Sequence, residues 1–487
     1  MSEAQESSHG HVKRTVILCL AIVLAASAYA LFPSKIGSVQ VTELQRRMVG
    51  IFVIAGIFWA TEVIPLFATS LLVISLEIIF LAEKGGLAAK IPGLSQLPSD
   101  IHLTYASFLS SFGSHIIILF MGGFLLSTAL TKHGIDRKIA AIFLQPFTKS
   151  PRMLIFGVLG ITAFFSMWMS NTATAAMMLA IVAPVLRQLP EKDLFHRGLI
   201  LAVPFGANIG GIGTPIGTPP NAVAFDALNR PGSGMEVTFL DWVMMAVPLE
   251  ILMLIVVGFM LLYFFPHKGQ LLLGKIQPPD RIRRKGRITL VILMLAILLW
   301  LTGKWTGLAS GAVALFIAAV LAVFKIIDRK DVDSIDWDVL ILMWGGLSLG
   351  GAMSATGLTG LITQIDFISL GFGQWAIATL VVVSALVFST FMSNTATANL
   401  LVPIVMAMGV GTMQGRGELA VLAALGCSFA MAMPVSTPPN AIAFATGNVP
   451  VGSMIRVGGL ISIVSIFVML LGYKLFLPWV MDFGLGS

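Results

Sequence analysis

The chain has 487 residues, of which 57% are hydrophobic and only 11% charged, a balance that excludes an ordinary soluble protein of this size and predicts an all-α polytopic membrane protein. A formal charge of +7 does not point to nucleic acid, because the basic residues cluster in short connections between apolar segments, where membrane topology puts them. Cys19 and Cys427 both lie in apolar runs and supply neither a disulfide framework nor a thiolate metal site.

The polar start, MSEAQESSHGHVKR, leads into an apolar run over 15–32 with no small-residue cleavage site ahead of a soluble domain. Residues 1–45 are therefore read as a tail and first transmembrane helix rather than a signal peptide. The runs at 48–64, 66–82 and 113–131 each suit one spanning helix. The next, 153–186, is nearly twice the length a span needs and carries the polar tripeptide SNT (170–172) near its middle, so 151–187 is expected to be a hairpin that dips into the membrane and returns. Segment 198–228 is broken by IGGIGTPIGTPPN, where glycines free the backbone and paired prolines remove N–H donors. A span at 242–265 closes a first unit, 46–266. The basic stretch 267–287, ending in RIRRKGR, is expected to be a cytoplasmic linker, with lipid binding as an alternative. Spans at 288–303, 306–324 and 338–357, a second hairpin at 372–410, a second broken helix at 418–446 and a last span at 453–477 make a second unit, 288–487. The total is about 11 transmembrane helices plus two re-entrant hairpins.

The two units repeat in sequence as well as in order. SMWMSNTATAA (166–176) returns as STFMSNTATAN (389–399), and TPPNAVAF (218–225) returns as TPPNAIAF (437–444). An odd number of spanning elements per unit makes the second enter the membrane from the opposite side, so inverted repeats are expected, with the binding site where they meet. A cytoplasmic N-terminus then places most of the 30 basic residues on the inner side. The acidic run Asp328, Asp331, Asp333, Asp336 and Asp338 falls on that side and reads as a solvated loop.

Irregular backbone at membrane depth survives only when buried in protein or lining a wet cavity, so both hairpin tips and both breaks should converge on one cavity. Ser166, Ser170, Asn171 and Thr172, with Ser389, Ser393, Asn394 and Thr395, offer hydroxyls and amides there without charge. Together with freed carbonyls near Gly217 and Ser436 they are hard oxygen ligands suited to sodium. The helix returning from each tip is expected to begin just after SNT, and its N-terminal N–H groups favour an anion. Neither motif contains Lys or Arg. An anion bound there needs cations beside it, since unlike charges about 4 Å apart gain roughly 4 kcal/mol at an effective dielectric of 20, so anion and cation should be coupled. A single SNT is as readily a helix cap; its doubling, each time with TPPN, favours a site. Pro219, Pro220, Pro438 and Pro439 read first as helix breakers, Glu62 as a helix-end residue, and Glu77 as an intramembrane carboxylate with functional potential. No cavity-facing catalytic cluster suggests an enzyme, and a channel would need a pore ring from several subunits.

The paired SNT and TPPN motifs and the early ATEVIPLFATSLL stretch (60–72) resemble the divalent anion/sodium symporter family over nearly the whole chain. The resemblance implies sodium-coupled uptake of C4-dicarboxylates such as succinate, malate and fumarate, with citrate or sulfate as substrates in some members. It implies one sodium site at Ser166, Asn171 and the Gly217 backbone and another at Ser389, Asn394 and the Ser436 backbone. Substrate carboxylates would meet Ser170, Asn171, Thr172, Ser393, Asn394 and Thr395, with Thr437 and Pro438 nearby. It further implies a homodimer in the inner membrane that works as an elevator, with hairpins, broken helices and the helix following each moving against a scaffold of the first four helices and 288–357. Some members are sodium-independent exchangers; here the five-residue Ser–Asn spacing is kept in both copies and no basic residue replaces either partner, which favours symport.

Overall fold

Apolar runs punctuated by glycine and proline fold into helices throughout the computed structural model, which describes residues 2–36, 39–84, 86–87, 103–189, 193–230, 233–267, 282–364, 371–408, 413–475 and 477. The helices of the first half are α1 (Ser2–Leu31), α2 (Glu43–Thr61), α3 (Leu66–Leu81), α4 (Tyr105–Leu109), α5 (His115–Lys132), α6 (Ile135–Leu144), α7 (Pro151–Ser166), α8 (Asn171–Leu186), α9 (Leu194–Gly210), α10 (Pro219–Asn229) and α11 (Phe239–Phe264). Those of the second half are α12 (Arg284–Leu301), α13 (Gly303–Thr306), α14 (Ser310–Val323), α15 (Arg329–Asp333), α16 (Trp337–Ala355), α17 (Leu358–Ile362), α18 (Gln374–Phe391), α19 (Asn394–Ala407), α20 (Met413–Ser428), α21 (Pro438–Ala445) and α22 (Val451–Leu475). Among the described residues, 7 helical segments are long and apolar enough to cross a membrane, and α3, α7, α8, α14 and α19 are shorter apolar helices. The chain is a multi-pass helical membrane protein. Among the described residues the all-α expectation is amended by a two-residue antiparallel pair, Lys35–Ile36 with Val39–Gln40, and an isolated bridge between Lys84 and Thr104. Residues 268–281 of the expected linker and 409–410 of the expected second hairpin lie outside the described residues.

Each hairpin is two helices meeting at a short turn that ends in a serine, Ser170 or Ser393. Pro151 at the first position of α7 and Ser150, whose hydroxyl accepts from Met153 N at 3.2 Å, start the first arm. At the tip, Ser170 caps α8 by accepting from Ala173 N at 3.3 Å. The returning helix therefore begins at the asparagine of SNT rather than after the motif, because the serine satisfies one of the orphan N–H groups that open a helix. In the second hairpin α19 likewise begins at Asn394, but Ser393 makes no side-chain cap bond.

The halves interlock reciprocally. α10 packs on α19 and α20, while its counterpart α21 packs on α8 and α9; α5 packs on α14, while α16 packs on α3. Small residues let these backbones approach: a Cβ added at Gly210 on α9 would fall on the Ala163 backbone of α7. Outward faces are apolar, as Ile251, Ile255 and Phe259 on α11 illustrate at four-residue spacing, which is what a helix face against lipid requires.

Candidate functional site

The breaks α9–α10 and α20–α21 are held open by asparagines. Asn221 Nδ2 donates to Gly211 O (3.0 Å), Ile212 O (3.1 Å) and Thr214 O (2.8 Å). Asn440 Nδ2 donates to Met431 O (3.2 Å) and Met433 O (3.1 Å). Each fully buried amide thus takes up carbonyls that the interrupted helix leaves without N–H partners. A third buried amide joins the two breaks, Asn208 Nδ2 donating to Thr437 Oγ1 (3.0 Å) and Asn440 Oδ1 (3.3 Å).

Tips and breaks line a common cavity of about 900 Å³. Ser170, Asn171, Thr172, Ser393, Asn394, Thr395, Gly217, Ser436, Thr437 and Pro438 all contribute to it, together with Asn208, Thr218 and Pro219. Ser166 and Ser389 are fully buried behind the asparagines. Ser166 Oγ lies 2.6 Å from Asn171 Oδ1 and 2.8 Å from Ala207 O, and Ser389 Oγ lies 2.6 Å from Asn394 Oδ1 and 2.9 Å from Cys427 O. The same serine–asparagine–carbonyl cluster is therefore built twice, once per half. Ala207 and Cys427 contribute through backbone oxygens, a role no residue type announces.

The first cluster admits two orientations of the Asn171 amide. The atom placed as Asn171 Oδ1 faces Ser166 Oγ at 2.6 Å, Ala207 O at 3.2 Å and Gly217 O at 3.3 Å. Half a turn of the amide lets its nitrogen donate to all three. With oxygen inward, four oxygens share one hydroxyl proton, which is the donor set an alkali cation takes up. Room for the Asn171 side chain depends on Gly211, where an added Cβ would stand 2.5 Å from Asn171 Oδ1.

Among the described residues no Lys, Arg or His lines the cavity, whereas Glu62, Asp336 and Asp338 do. Glu62 ends α2 in the left-handed region with φ 49°, so it is a helix-end residue that also faces the cavity. A neighbouring pocket of about 330 Å³ runs from Ser170 to Ser127, Lys132, Ser334 and Asp336. The acidic run is thus not a uniformly solvated loop: Asp328 and Asp331 accept from Lys132 Nζ at 2.8 and 2.5 Å, and burial, with Asp338 close by, raises the Asp336 carboxyl above the usual aspartate value. Glu77 lies apart from the cavity, fully buried between α3 and α16, where it accepts from Ser348 Oγ. At the far end Trp168 of the first tip, Phe239 and Trp300 form near-parallel rings with centroids 5.4 to 6.3 Å apart. Phe239 and Trp300 border a separate cavity of about 1050 Å³, whose described lining includes no SNT residue.

Comparison with known proteins agrees with this architecture. The sequence profile described as the sodium:sulfate symporter transmembrane region matches residues 13–483. The chain is 29% identical over 469 residues to the sodium-dependent dicarboxylate transporter SdcS of Staphylococcus saprophyticus, covering 88% of this chain and 86% of that protein. It is 34% identical over 393 residues to an uncharacterized transporter of Haemophilus influenzae, covering 76% and 83% of the two. The crystal structure of the YdaH transporter of Alcanivorax borkumensis has a similar fold, with a TM-score of 0.58 at 14% identity over 86% of this chain and 99% of that one.

Proposed function

Because this chain belongs to the sodium:sulfate symporter transmembrane region family, we propose that it is a secondary transporter coupling sodium to the uptake of C4-dicarboxylates such as succinate, malate and fumarate. The observation that carries this reading is the doubled serine–asparagine–carbonyl cluster flanking a cavity with no basic lining residue among the described residues. Neutral oxygens there hold a sodium ion on each side, at Ser166, Asn171 and Gly217 and at Ser389, Asn394 and Ser436. Those ions supply the positive charge that a dianion requires. Its carboxylates meet the hydroxyls and amides of Ser170, Asn171, Thr172, Ser393, Asn394 and Thr395 and the opening N–H groups of α8 and α19. The name of the staphylococcal relative supports the same ion and substrate class.

In this reading the halves are inverted repeats, the protein is a homodimer of the inner membrane with a cytoplasmic N-terminus, and the cavity opens inward, past Asp336 and Asp338. Hairpins, broken helices, α11 and α22 travel together as an elevator against the remaining helices. Purified protein in liposomes tests it: labelled succinate should accumulate under an inward sodium gradient and not when potassium replaces sodium. Uptake without sodium, only against unlabelled succinate inside, would make the protein an exchanger.

A further inference from the structure

The long helices that follow the two breaks, α11 and α22, bury matching faces. Met245, Ala246 and Leu249 on α11 and Val457, Gly458 and Ile461 on α22 are buried at the same positions counted from each helix start. The next buried position in that count is Glu250 on α11 and Ser462 on α22. Ser462 clasps the second break, donating to Phe429 O at 2.7 Å and accepting from Met431 N at 3.2 Å. Glu250 stands at the equivalent place behind the first break without that function. It is 4% exposed, and its Oε2 has no hydrogen-bond partner among the described residues. That oxygen lies against Gly213, where an added Cβ would overlap it, so glycine at the break is what gives the carboxylate its room.

A carboxylate left ionised and unpartnered at this depth costs several kcal/mol. Ionisable residues on the packed helices do not offset it. Arg152 on α7, His196 and Arg197 on α9, Arg284, Lys285 and Arg287 on α12 and Arg456 on α22 lie within the first two turns of their helices, whereas Glu250 is mid-helix; Lys474, near the end of α22 where Gly472 packs on Leu249, is exposed and makes no ion pair with Glu250 among the described residues. Lys304 lies beside the N-terminal end of α11, near Asp241.

We propose that Glu250 carries a further co-transported monovalent cation, a sodium ion or a proton, beside the sodium ions of the two repeated clusters. The proposal rests on the symport reading and deepens it. Two sodium ions in neutral sites balance a dianion, so the clusters alone move no net charge. A cation on Glu250 neutralises the loaded carrier there, and the empty carrier returns with the carboxylate ionised. One positive charge then crosses per substrate.

The test compares wild-type protein with Glu250→Gln and with Glu250→Ser, the residue that the second half already accommodates at this position. In liposomes, charge, radiolabelled sodium and internal pH are measured per labelled succinate. Both variants should move one charge fewer per succinate than the wild type. The sodium ratio falls by one if the cation is sodium; it stays constant, and succinate-linked acidification disappears, if the cation is a proton. Equal charge per succinate in wild type and a transporting variant overturns the proposal. Absence of sodium-driven uptake by the wild type overturns the symport reading instead. Should neither variant transport, the sodium ions and protons taken up on succinate binding in detergent decide it: the wild type should take up one cation more, and equal counts reject the assignment.

Discussion

Asn171 and Asn394 each stand between a buried serine hydroxyl and the cavity, so in the proposed reading one side chain serves the cation cluster and the substrate space at once. Replacing either by alanine removes a ligand of the sodium cluster and a donor to the dianion. A hydrogen bond to a charged group is worth about 1.5–3 kcal/mol, so half-saturating sodium should rise on the order of ten- to a hundredfold, with succinate affinity falling in parallel. Titrations of succinate uptake against sodium check this; loss of succinate affinity at unchanged sodium affinity would contradict a shared site. Asp336 is the other residue whose chemistry the cavity alters. Its carboxyl is raised by burial and by Asp338, so the folded state holds that proton more tightly than the unfolded chain. Its unfavourable contribution is present above the folded value and relieved as pH falls through it toward the ordinary aspartate value. Asp336→Asn should therefore raise the thermal midpoint at neutral pH by up to about a few degrees, and by less in mild acid. A larger gain in acid than at neutrality would reverse the assignment.

At the scale of elements, two asparagines take up the carbonyls that the breaks set free, while the prolines that mark the breaks in sequence open the helices that follow. Asn221→Ala strands three carbonyls that its amide now satisfies, which costs about 1–3 kcal/mol and should lower the midpoint of unfolding as well as uptake. Gly211→Ala pushes a methyl group onto Asn171 at about 1–3 kcal/mol; sodium affinity should fall more than stability does, read by comparing sodium titration with thermal melting. The hairpins and breaks were legible because polar tripeptides and paired prolines stand out against apolar flanks and occur twice. Asn208 and Asn221 were not, since a lone amide in a helix shows its role only when the acceptors it faces are placed, and those come from 7 to 10 residues away for Asn221 and from side chains of the other half for Asn208. Ala207 and Cys427 act through backbone oxygens, which sequence never distinguishes. The short helix α6 between α5 and the first hairpin was also invisible, its ten residues being too few to register as an apolar segment. Glu250 shows the opposite case: it is apparent as an oddity only after α11 and α22 are laid over one another.

Across the whole molecule, an elevator requires a surface on which the mobile helices slide, and α16 offers one. Asn399 on α19 donates to Leu342 O at 3.2 Å, and Arg230, at the end of α10, donates to Leu347 O at 3.3 Å. Both partners are carbonyls of α16, and Gly346 and Gly350 leave the space these side chains occupy: a Cβ at Gly346 would fall on the Asn399 amide, and one at Gly350 would stand 3.0 Å from Arg230 Nη1. Bonds to carbonyls along a glycine-lined helix can be exchanged for similar bonds a turn away without leaving a buried donor stranded. If the proposed movement carries α19 past α16, joining them must stop transport without destroying the site. Gly346→Cys with Asn399→Cys, in a Cys19→Ser background, places the two thiol carbons where these side chains now meet. Oxidation should abolish succinate uptake into liposomes while sodium-dependent succinate binding in detergent persists, and reduction should restore uptake. Undiminished uptake by the crosslinked protein would mean that α16 and α19 stay together through the cycle, and the mobile boundary would have to lie elsewhere in the bundle.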